Sequence, residues 1–361
     1  MLNCKKILIV DDSALMRRVI CDIINTDGRF HVEDRATNGL EALDLLIRKQ
    51  YDAVILDVNM PKMNGLELLE ELRKRKIKAR VIMASTDTRE GAKTTLDALS
   101  LGAIDFVHKP DNAMDCKNGV FNTKLLNIMA TVCESKVTDF EEKPADKEKV
   151  VKETKELVEL AHKFSKSIKD RQIVALASST GGPKALQEVV PKIPASLKCP
   201  VVIVQHMPAG FTQSLAERLN DLSDCKVSEA KEGEILEDGH VYIARGGKHL
   251  NVDSVAGQFK IRYSDEPTRE GVKPCANYMF ESLAKGVAER VVCVVLTGMG
   301  ADGTAGIDNL KKSKKIFVIA QNEETCTVYG MPKAVAKAGL TDTVVPLNKV
   351  AQEIIMNVGV N

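Results

Sequence analysis

The sequence is short of the features that commit a chain to several common protein classes. Its nine cysteines, at 4, 21, 116, 133, 199, 225, 275, 293 and 326, are odd in number and widely scattered. None forms a C-x-x-C pair, so neither a disulfide framework nor a zinc site is indicated. Several, such as Cys293 in VVCVVL, sit in apolar runs where a thiol serves as a small core residue. Aromatic residues make up only 4% of the chain, which leaves few platforms for stacking single-stranded nucleic acid. No apolar run approaches the roughly 20 residues of a membrane span. The start, MLNCKKILIVDDS, lacks a signal-peptide layout, and the expected location is the cytoplasm. There is no excess of one charge either. Charged residues are 28% of the chain and the formal net charge is +1, so no global field draws it to nucleic acid or a membrane.

What the chain has is length and alternation. At 361 residues it exceeds a single comfortable hydrophobic core, and two domains are expected. KILIV is a short apolar run, and Ser13 to Ile24 has helical spacing. Ala53 to Leu56 is apolar again, with a helix from Leu66 to about Arg75. Arg80 to Met83 is strand-like, Gly91 to Leu101 helical, and Ile104 to Val107 strand-like. Strands alternating with amphipathic helices predict a parallel sheet covered on both faces, with function at the carboxyl ends of the strands. The polar residues fall there: Asp11 and Asp12, Asp57, Ser85 and Lys109.

Three carboxylates at one sheet edge repel one another unless a cation or proton intervenes. Oxygen-only ligands with room for water favour Mg²⁺. An exposed aspartate beside that ion can attack phosphorus and become an aspartyl phosphate, with Ser85 and Lys109 holding the phosphoryl oxygens. Any one of these residues alone reads as a solvated loop charge; all five in order is the signal. The pattern resembles the response-regulator receiver domain over about residues 4–122. The matching positions are DD at 11–12, D-x-x-M-P from Asp57 to Pro61, Asn64-Gly65, Ser85 and Lys109-Pro110. That resemblance implies a flavodoxin-like fold and Asp57 as phospho-acceptor. It also implies Mg²⁺ on Asp11 or Asp12, Asp57 and the carbonyl of Asn59, with a histidine kinase as phosphodonor.

Residues 123–168 read as a linker, partly helical. Glu134 to Lys149 is charged, carries Pro144 and has no apolar period. Val150, Leu157, Ala161 and Phe164, with Thr154, then share one side of a helix.

From 169 to 361 a second α/β domain is expected, doubly wound. Its focal stretch is Ile173 to Leu186, IVALASSTGGPKAL: an apolar strand, a tight turn, and Pro183 where a helix begins. A serine there stands at a sheet rim near backbone N–H groups and the positive end of a helix. PVVIVQHMP is another strand with His206 just past its end, and RVVCVVL leads into TGMGADGTAGI with Asp302 in a glycine-dense turn. Asp238 to Ala244, Leu250 to Val252 and Phe259 to Arg262 read as short strands, expected as antiparallel additions. Ile316 to Ala320 and Thr343 to Val345 read as further strands.

Ser179, His206 and Asp302 thus each follow a strand, and neighbouring strand ends lie about 4.8 Å apart. A serine nucleophile needs a base, and the base needs a third group to orient it. Singly, His206 reads as an ordinary hydrogen-bonded histidine and Asp302 as a helix cap. His240 and His249 compete as bases. Residues from about 170 onward resemble the catalytic domain of the chemotaxis protein-glutamate methylesterases. The motifs are S-T-G-G from Ser179, Q-H-M-P from Gln205, V-Y-I-A…G-G-x-H from Val241 to His249, and L-T-G-M-G-x-D-G from Leu296. The resemblance assigns the triad to Ser179, His206 and Asp302, and implies hydrolysis of glutamate methyl esters and deamidation of glutamine on chemotaxis receptors. No cofactor is implied for that reaction. Two departures stand out: Ala177-Ser178 where the family has Gly-Ala, which sets two serines side by side, and Arg245 in place of a proline. Oxyanion donors are expected among the N–H groups of Thr180, Gly181 and Met299. Two other classes compete. A receiver followed by a DNA-binding module would need a basic recognition helix, and residues 170–361 show none. A nucleotide-binding module would need a G-x-x-x-x-G-K-[ST] or G-x-G-x-x-G frame, and neither is present.

Overall fold

The computed structural model describes residues 4–85, 89–109, 119–135, 153–159 and 170–360. The chain divides into two compact units, Met1–Pro144 and Ala145–Asn361, which are taken separately below.

In the N-terminal unit five parallel strands, β1 (Lys5–Val10), β2 (Phe30–Ala36), β3 (Ala53–Asp57), β4 (Val81–Ser85) and β5 (Asp105–His108), lie in the order β2-β1-β3-β4-β5. This is the flavodoxin-like order, in which the topological switch lies between β1 and β3. Helices α1 (Ala14–Asn25), α2 (Gly39–Arg48), α3 (Gly65–Lys74), α4 (Arg89–Leu101) and α5 (Val120–Glu134) alternate with the strands. Three of them start on side-chain caps. Ser13 accepts from the Met16 N–H, Asn38 from Glu41, and Asn64 forms a reciprocal capping box with Glu67. The loops between strand end and cap are therefore short and fixed.

Sequence reading passed over β2 and α2. FHVEDRA is an edge strand that alternates buried and open positions, so it offers no apolar run. The boundary expected at residue 122 also falls too early. Leu125, Ile128, Met129, Val132 and Cys133 of α5 belong to the same core as Ile7, Ile55 and Val107. Of the predicted linker helix, 153–159 is described and helical (α6), with Thr154 buried and Glu153 paired to Lys192 at 3.2 Å. Val150, Ala161, Phe164 and most of the charged stretch lie outside the described residues, as does Pro110.

The C-terminal unit holds seven parallel strands in the order β14-β13-β12-β6-β7-β9-β8. They are β6 (Gln172–Ser178), β7 (Val201–Gln205), β8 (Lys226–Glu229), β9 (His240–Ile243), β12 (Arg290–Val295), β13 (Lys315–Gln321) and β14 (Thr343–Val345). A separate antiparallel hairpin, β10 (His249–Val255) with β11 (Gln258–Ser264), meets the expectation for those two strands. For residues 238–244 the expectation fails: β9 is a parallel member of the main sheet. All four of its residues are buried, as an internal parallel strand requires, and its brevity hid that.

Helices α7 (Gly182–Val189), α8 (Phe211–Leu222), α9 (Ala276–Lys285), α10 (Thr304–Lys311), α11 (Met331–Lys337) and α12 (Leu347–Val358) accompany the strands. The sheet core is fully dry: Ile173 to Ala177, Val201 to Val204 and Val291 to Val295 have no exposed surface. From β6 the chain first builds outward through β7, then returns to the other flank through β12. The switch point is therefore β6 itself, flanked by β7 and β12. Among the described residues no helix is long and apolar enough to cross a membrane.

Candidate active site

Parallel register places three chain segments side by side at this switch point. Ser178 pairs with Gln205 and Ala177 with Val295, so Ser179, His206 and Thr297 leave the sheet at one level. Backbone bonds fasten them there: the Ser179 N–H donates to Thr297 O at 3.0 Å and the His206 N–H to Ser178 O at 3.1 Å. The chain then turns sharply. The Gly182 N–H closes on Ser179 O at 2.7 Å, and Gly181 takes φ +76° and ψ −6° at the third turn position, where a side chain would be strained. Pro183 lies in the first turn of α7, as its missing donor allows.

The two neighbouring serines differ completely in surroundings. Ser178 has no exposed surface, and its hydroxyl donates to Gln205 Oε1 at 2.7 Å. Ser179 is half-buried at the rim. Gln205 also donates from Nε2 to Ser179 O at 3.0 Å and His206 O at 3.3 Å, tying the two strand ends together. Gly298 lies against the second serine, where an added Cβ would come within 2.7 Å of Ser179 Cβ and 2.5 Å of Met331 Sδ.

His206 meets Asp302 through Nε2 and Oδ2 at 2.8 Å, both side chains being more than nine-tenths buried. Asp302 is saturated with donors. Ala276 N–H reaches Oδ2 at 2.6 Å, while Asn277 N–H, Gly303 N–H and the Cys275 thiol reach Oδ1 at 2.9, 2.9 and 3.0 Å. Burial is the largest single influence on this carboxyl and pushes its pKa up. The His206 hydrogen bond and charge, the Cys275 thiol and the Ala276 N–H together outweigh it and hold the group below the ordinary carboxylate value. Burial, helped by Asp302, pushes the Cys275 thiol up to about 12, so it stays protonated and donates. Among the described residues no hydrogen bond joins Ser179 Oγ to the His206 ring. The two residues follow adjoining strand ends, and such bonds commonly tighten only around substrate.

The competing histidines are engaged elsewhere. His249 is fully buried, with Nδ1 accepting from the Cys275 N–H at 3.2 Å and Nε2 facing Pro267 O at 3.2 Å. His240 opens β9 at the opposite edge of the sheet and faces Ser228 Oγ at 2.9 Å. Thr180 and Gly181 directly follow the serine, and Met299, which is exposed, follows Gly298. Arg245 is exposed, and its N–H donates to Tyr263 Oη at 2.9 Å. Sequence reading missed Gln205, Cys275 and Thr297. The Thr297 hydroxyl donates to Thr180 O at 3.0 Å and so braces the turn. For Gln205 and Thr297 the available signal was their position at a strand end beside a candidate residue; Cys275, before α9, carried none.

The N-terminal unit gathers a second set of residues at its own switch point. Carboxylate oxygens of Asp11, Asp12 and Asp57 lie within 4.8 Å of one another. Lys109, buried, reaches Asp11 at 2.6 Å and Asp57 at 2.7 Å. Burial pushes the Asp57 carboxyl up, Lys109 opposes it, and Asp11 adds to the rise. One ammonium against three carboxylates leaves negative charge over, and an oxygen-only donor set of this size fits Mg²⁺. Ser85 is buried at the end of β4, with Oγ donating to Gly91 O at 3.3 Å, and Asn59 is exposed just beyond Asp57.

Comparison with known proteins agrees with both halves. Residues 174–354 match the family described as CheB methylesterase, and residues 7–119 match the response regulator receiver domain. A protein-glutamate methylesterase/protein-glutamine glutaminase of Geobacillus kaustophilus is 40% identical over 355 residues, covering 98% of this chain and 99% of that protein. One from Bacillus subtilis is 40% identical over 352 residues, 97% of each. The crystal structure of the Thermotoga maritima CheB methylesterase catalytic domain superposes with a TM-score of 0.51 at 39% identity, covering 52% of this chain and 99% of that one. The chain therefore belongs to the protein-glutamate methylesterase/protein-glutamine glutaminase family, an enzyme whose hydrolase domain follows a response-regulator receiver.

Proposed function

We propose that the chain demethylates glutamate γ-methyl esters, and deamidates glutamines, on methyl-accepting chemotaxis receptors in the cytoplasm during adaptation, through a Ser179–His206–Asp302 triad. The observation that carries this reading is the 2.8 Å bond from His206 to a donor-saturated Asp302, on the strand end next to Ser179. Asp302, ionised, accepts a hydrogen bond from Nε2–H and so fixes the tautomer that leaves the Nδ1 lone pair of His206 to remove the Ser179 proton. Ser179 Oγ attacks the glutamyl carbonyl. The tetrahedral oxyanion rests on backbone N–H groups of Thr180, Gly181 or Met299, each such donor being worth roughly 3 kcal/mol. His206 returns the proton to the leaving methanol, or to ammonia from glutamine, and a glutamyl ester of Ser179 remains. Water then attacks that ester, giving its proton to His206, and Ser179 is released with its own proton restored. Ser178 is no competitor in this scheme, because its hydroxyl is committed to Gln205.

The receiver supplies regulation. Asp57 accepts a phosphoryl group from a histidine kinase, and Lys109 and Ser85 hold the phosphoryl oxygens. Asp11, Asp12, Asp57 and the Asn59 carbonyl would hold Mg²⁺, which supplies charge neutralisation for in-line phosphoryl transfer when bound. Phosphorylation then frees the esterase for the receptor. The test is methanol release from methylated receptor membranes by the full chain, with and without a small phosphodonor. The phosphodonor should raise the rate, and Asp57→Asn should abolish the rise; a full response in Asp57→Asn would defeat the regulatory reading.

A further inference from the structure

We propose that Asn277 is a positioning residue for Asp302, an inference that rests on the triad reading above. Two helices begin beside the site, and neither carries a side-chain cap of its own. Helix α9 starts after Cys275, which makes no side-chain cap, and α10 starts after Gly303, which has no side chain to offer. Each receives its cap from the other's segment. Asp302, on the residue before Gly303, accepts the first N–H groups of α9 from Ala276 and Asn277. Asn277, one residue into α9, accepts the N–H groups of Gly303 at 3.1 Å and Gly306 at 2.7 Å on its Oδ1.

The exchange closes a ring. Asn277 gives Asp302 a backbone N–H and fixes, through its side chain, the peptide immediately after Asp302. Its amide orientation is dictated as well, because Nδ2 donates to Glu270 Oε1 at 2.8 Å. Asn277 has no exposed surface, so each of its polar groups must find its partner inside the protein. Gly306 makes the close approach possible: an added Cβ would lie 2.8 Å from Asn277 O and from Phe280 Cβ.

The clamp matters to chemistry because Asp302 Oδ2 serves two partners, Ala276 N–H and His206 Nε2. Gly303 sits at φ +94°, a left-handed position with little intrinsic stiffness. With Asn277 removed, the peptide after Asp302 loses its only side-chain anchor from α9. The carboxylate can then swing about the α9 end that it caps, keeping the cap while losing its line to the imidazole.

The test uses the full-length chain and methylated receptor membranes, reading kcat, KM and the thermal midpoint. It also follows the low-field NMR signal of the His206 ring N–H in ¹⁵N-histidine-labelled protein. Asn277→Ala should lower kcat about 10- to 100-fold with KM within about 2-fold, as expected when a reacting group is misplaced rather than substrate binding lost. The His206 signal should move upfield. Asn277→Asp combined with Glu270→Gln keeps the accepting oxygen and supplies an amide donor where the Glu270 carboxylate would repel it, and should recover most of kcat. If Asn277→Ala does not fold, Asn277→Ser, whose shorter side chain draws the acceptor back from the two N–H groups, should still show a several-fold kcat loss with the same direction of NMR shift. Wild-type kcat with an unmoved His206 signal in either folded variant overturns the proposal, as does equal loss in Asn277→Ala and in Asn277→Asp combined with Glu270→Gln. Asp302→Asn separates the two levels. If it is inactive while the Asn277 variants are fully active, the clamp alone is wrong; if it keeps wild-type kcat, the triad reading falls and the clamp with it.

Discussion

The chain holds two aspartates in comparable positions, Asp57 and Asp302, each at the carboxyl edge of a parallel sheet beside its switch point. Both are buried, Asp302 at 2% exposure more so than Asp57 at 9%. Yet burial wins at Asp57, whose carboxyl is pushed up, and loses at Asp302, whose carboxyl is held down. The difference lies in the donors. Asp57 has a shared ammonium, its neighbour's N–H and two nearby carboxylates. Asp302 has a histidine, a thiol and three backbone N–H groups, two of them at the start of a helix. The first arrangement suits a group that must change its charge partner, by taking up a cation and a phosphoryl group. The second suits a group that must stay ionised while its partner gains and loses a proton. Burial alone does not set the direction of the shift; the number and permanence of donors does.

Several changes would break or sharpen this contrast. The largest effect is expected from Asp302→Asn, which keeps shape but replaces an acceptor with a group that cannot stabilise imidazolium. Esterase kcat should fall by about 10³- to 10⁴-fold, measured as methanol release. In the N-terminal unit the equivalent change, Asp57→Asn, should leave the esterase working but deaf to phosphodonor, so the two aspartates separate by assay. A smaller loss, about 10- to 100-fold in kcat, is expected for Gly298→Ala, because the new Cβ must displace Ser179 or Met331. The smallest effect concerns pH. His249 is neutral in the fold, its pKa lowered from the ordinary 6.5 by burial and then by Lys273, and its Nδ1 accepts from Cys275. Below pH 6.5 the unfolded chain takes a proton that the folded chain refuses, so stability falls as pH drops, by at most about 1.4 kcal/mol per unit. Thermal midpoints from pH 7.5 to 5.5 should decline, and His249→Gln should flatten that decline. An unchanged slope would place the acid sensitivity elsewhere.

Much of this was legible in the sequence because both sites sit at strand ends, and an apolar run followed by a polar residue is a local pattern. Asp11, Asp57, Lys109, His206 and Asp302 were all visible in that way. Elements lacking an apolar run were not: β2 alternates, and β9 is too short to declare its direction. Apolar spacing does continue past residue 122 into α5, but the charged stretch that follows obscured it. The supporting side chains were hidden for a different reason. Cys275 and Asn277 act on Asp302 across a gap in sequence that no periodicity reports. Between Ser178 and Ser179 the sequence favours Ser179 because it directly precedes T-G-G; that Gln205 engages the Ser178 hydroxyl follows from strand register alone. His249 looked like a rival base because a histidine beside a glycine turn resembles one; only its two partners show it occupied.

The central proposal is that Ser179 is the residue that attacks the glutamyl ester. The direct measurement is methanol release from methylated receptor membranes by the full chain carrying Ser179→Ala or Ser178→Ala, with glutamine deamidation followed in parallel. Ser179→Ala should lose both activities by at least ~10³-fold, while Ser178→Ala, losing one buried hydrogen bond, should stay within about an order of magnitude of the parent. Retained activity in Ser179→Ala together with loss in Ser178→Ala would contradict it.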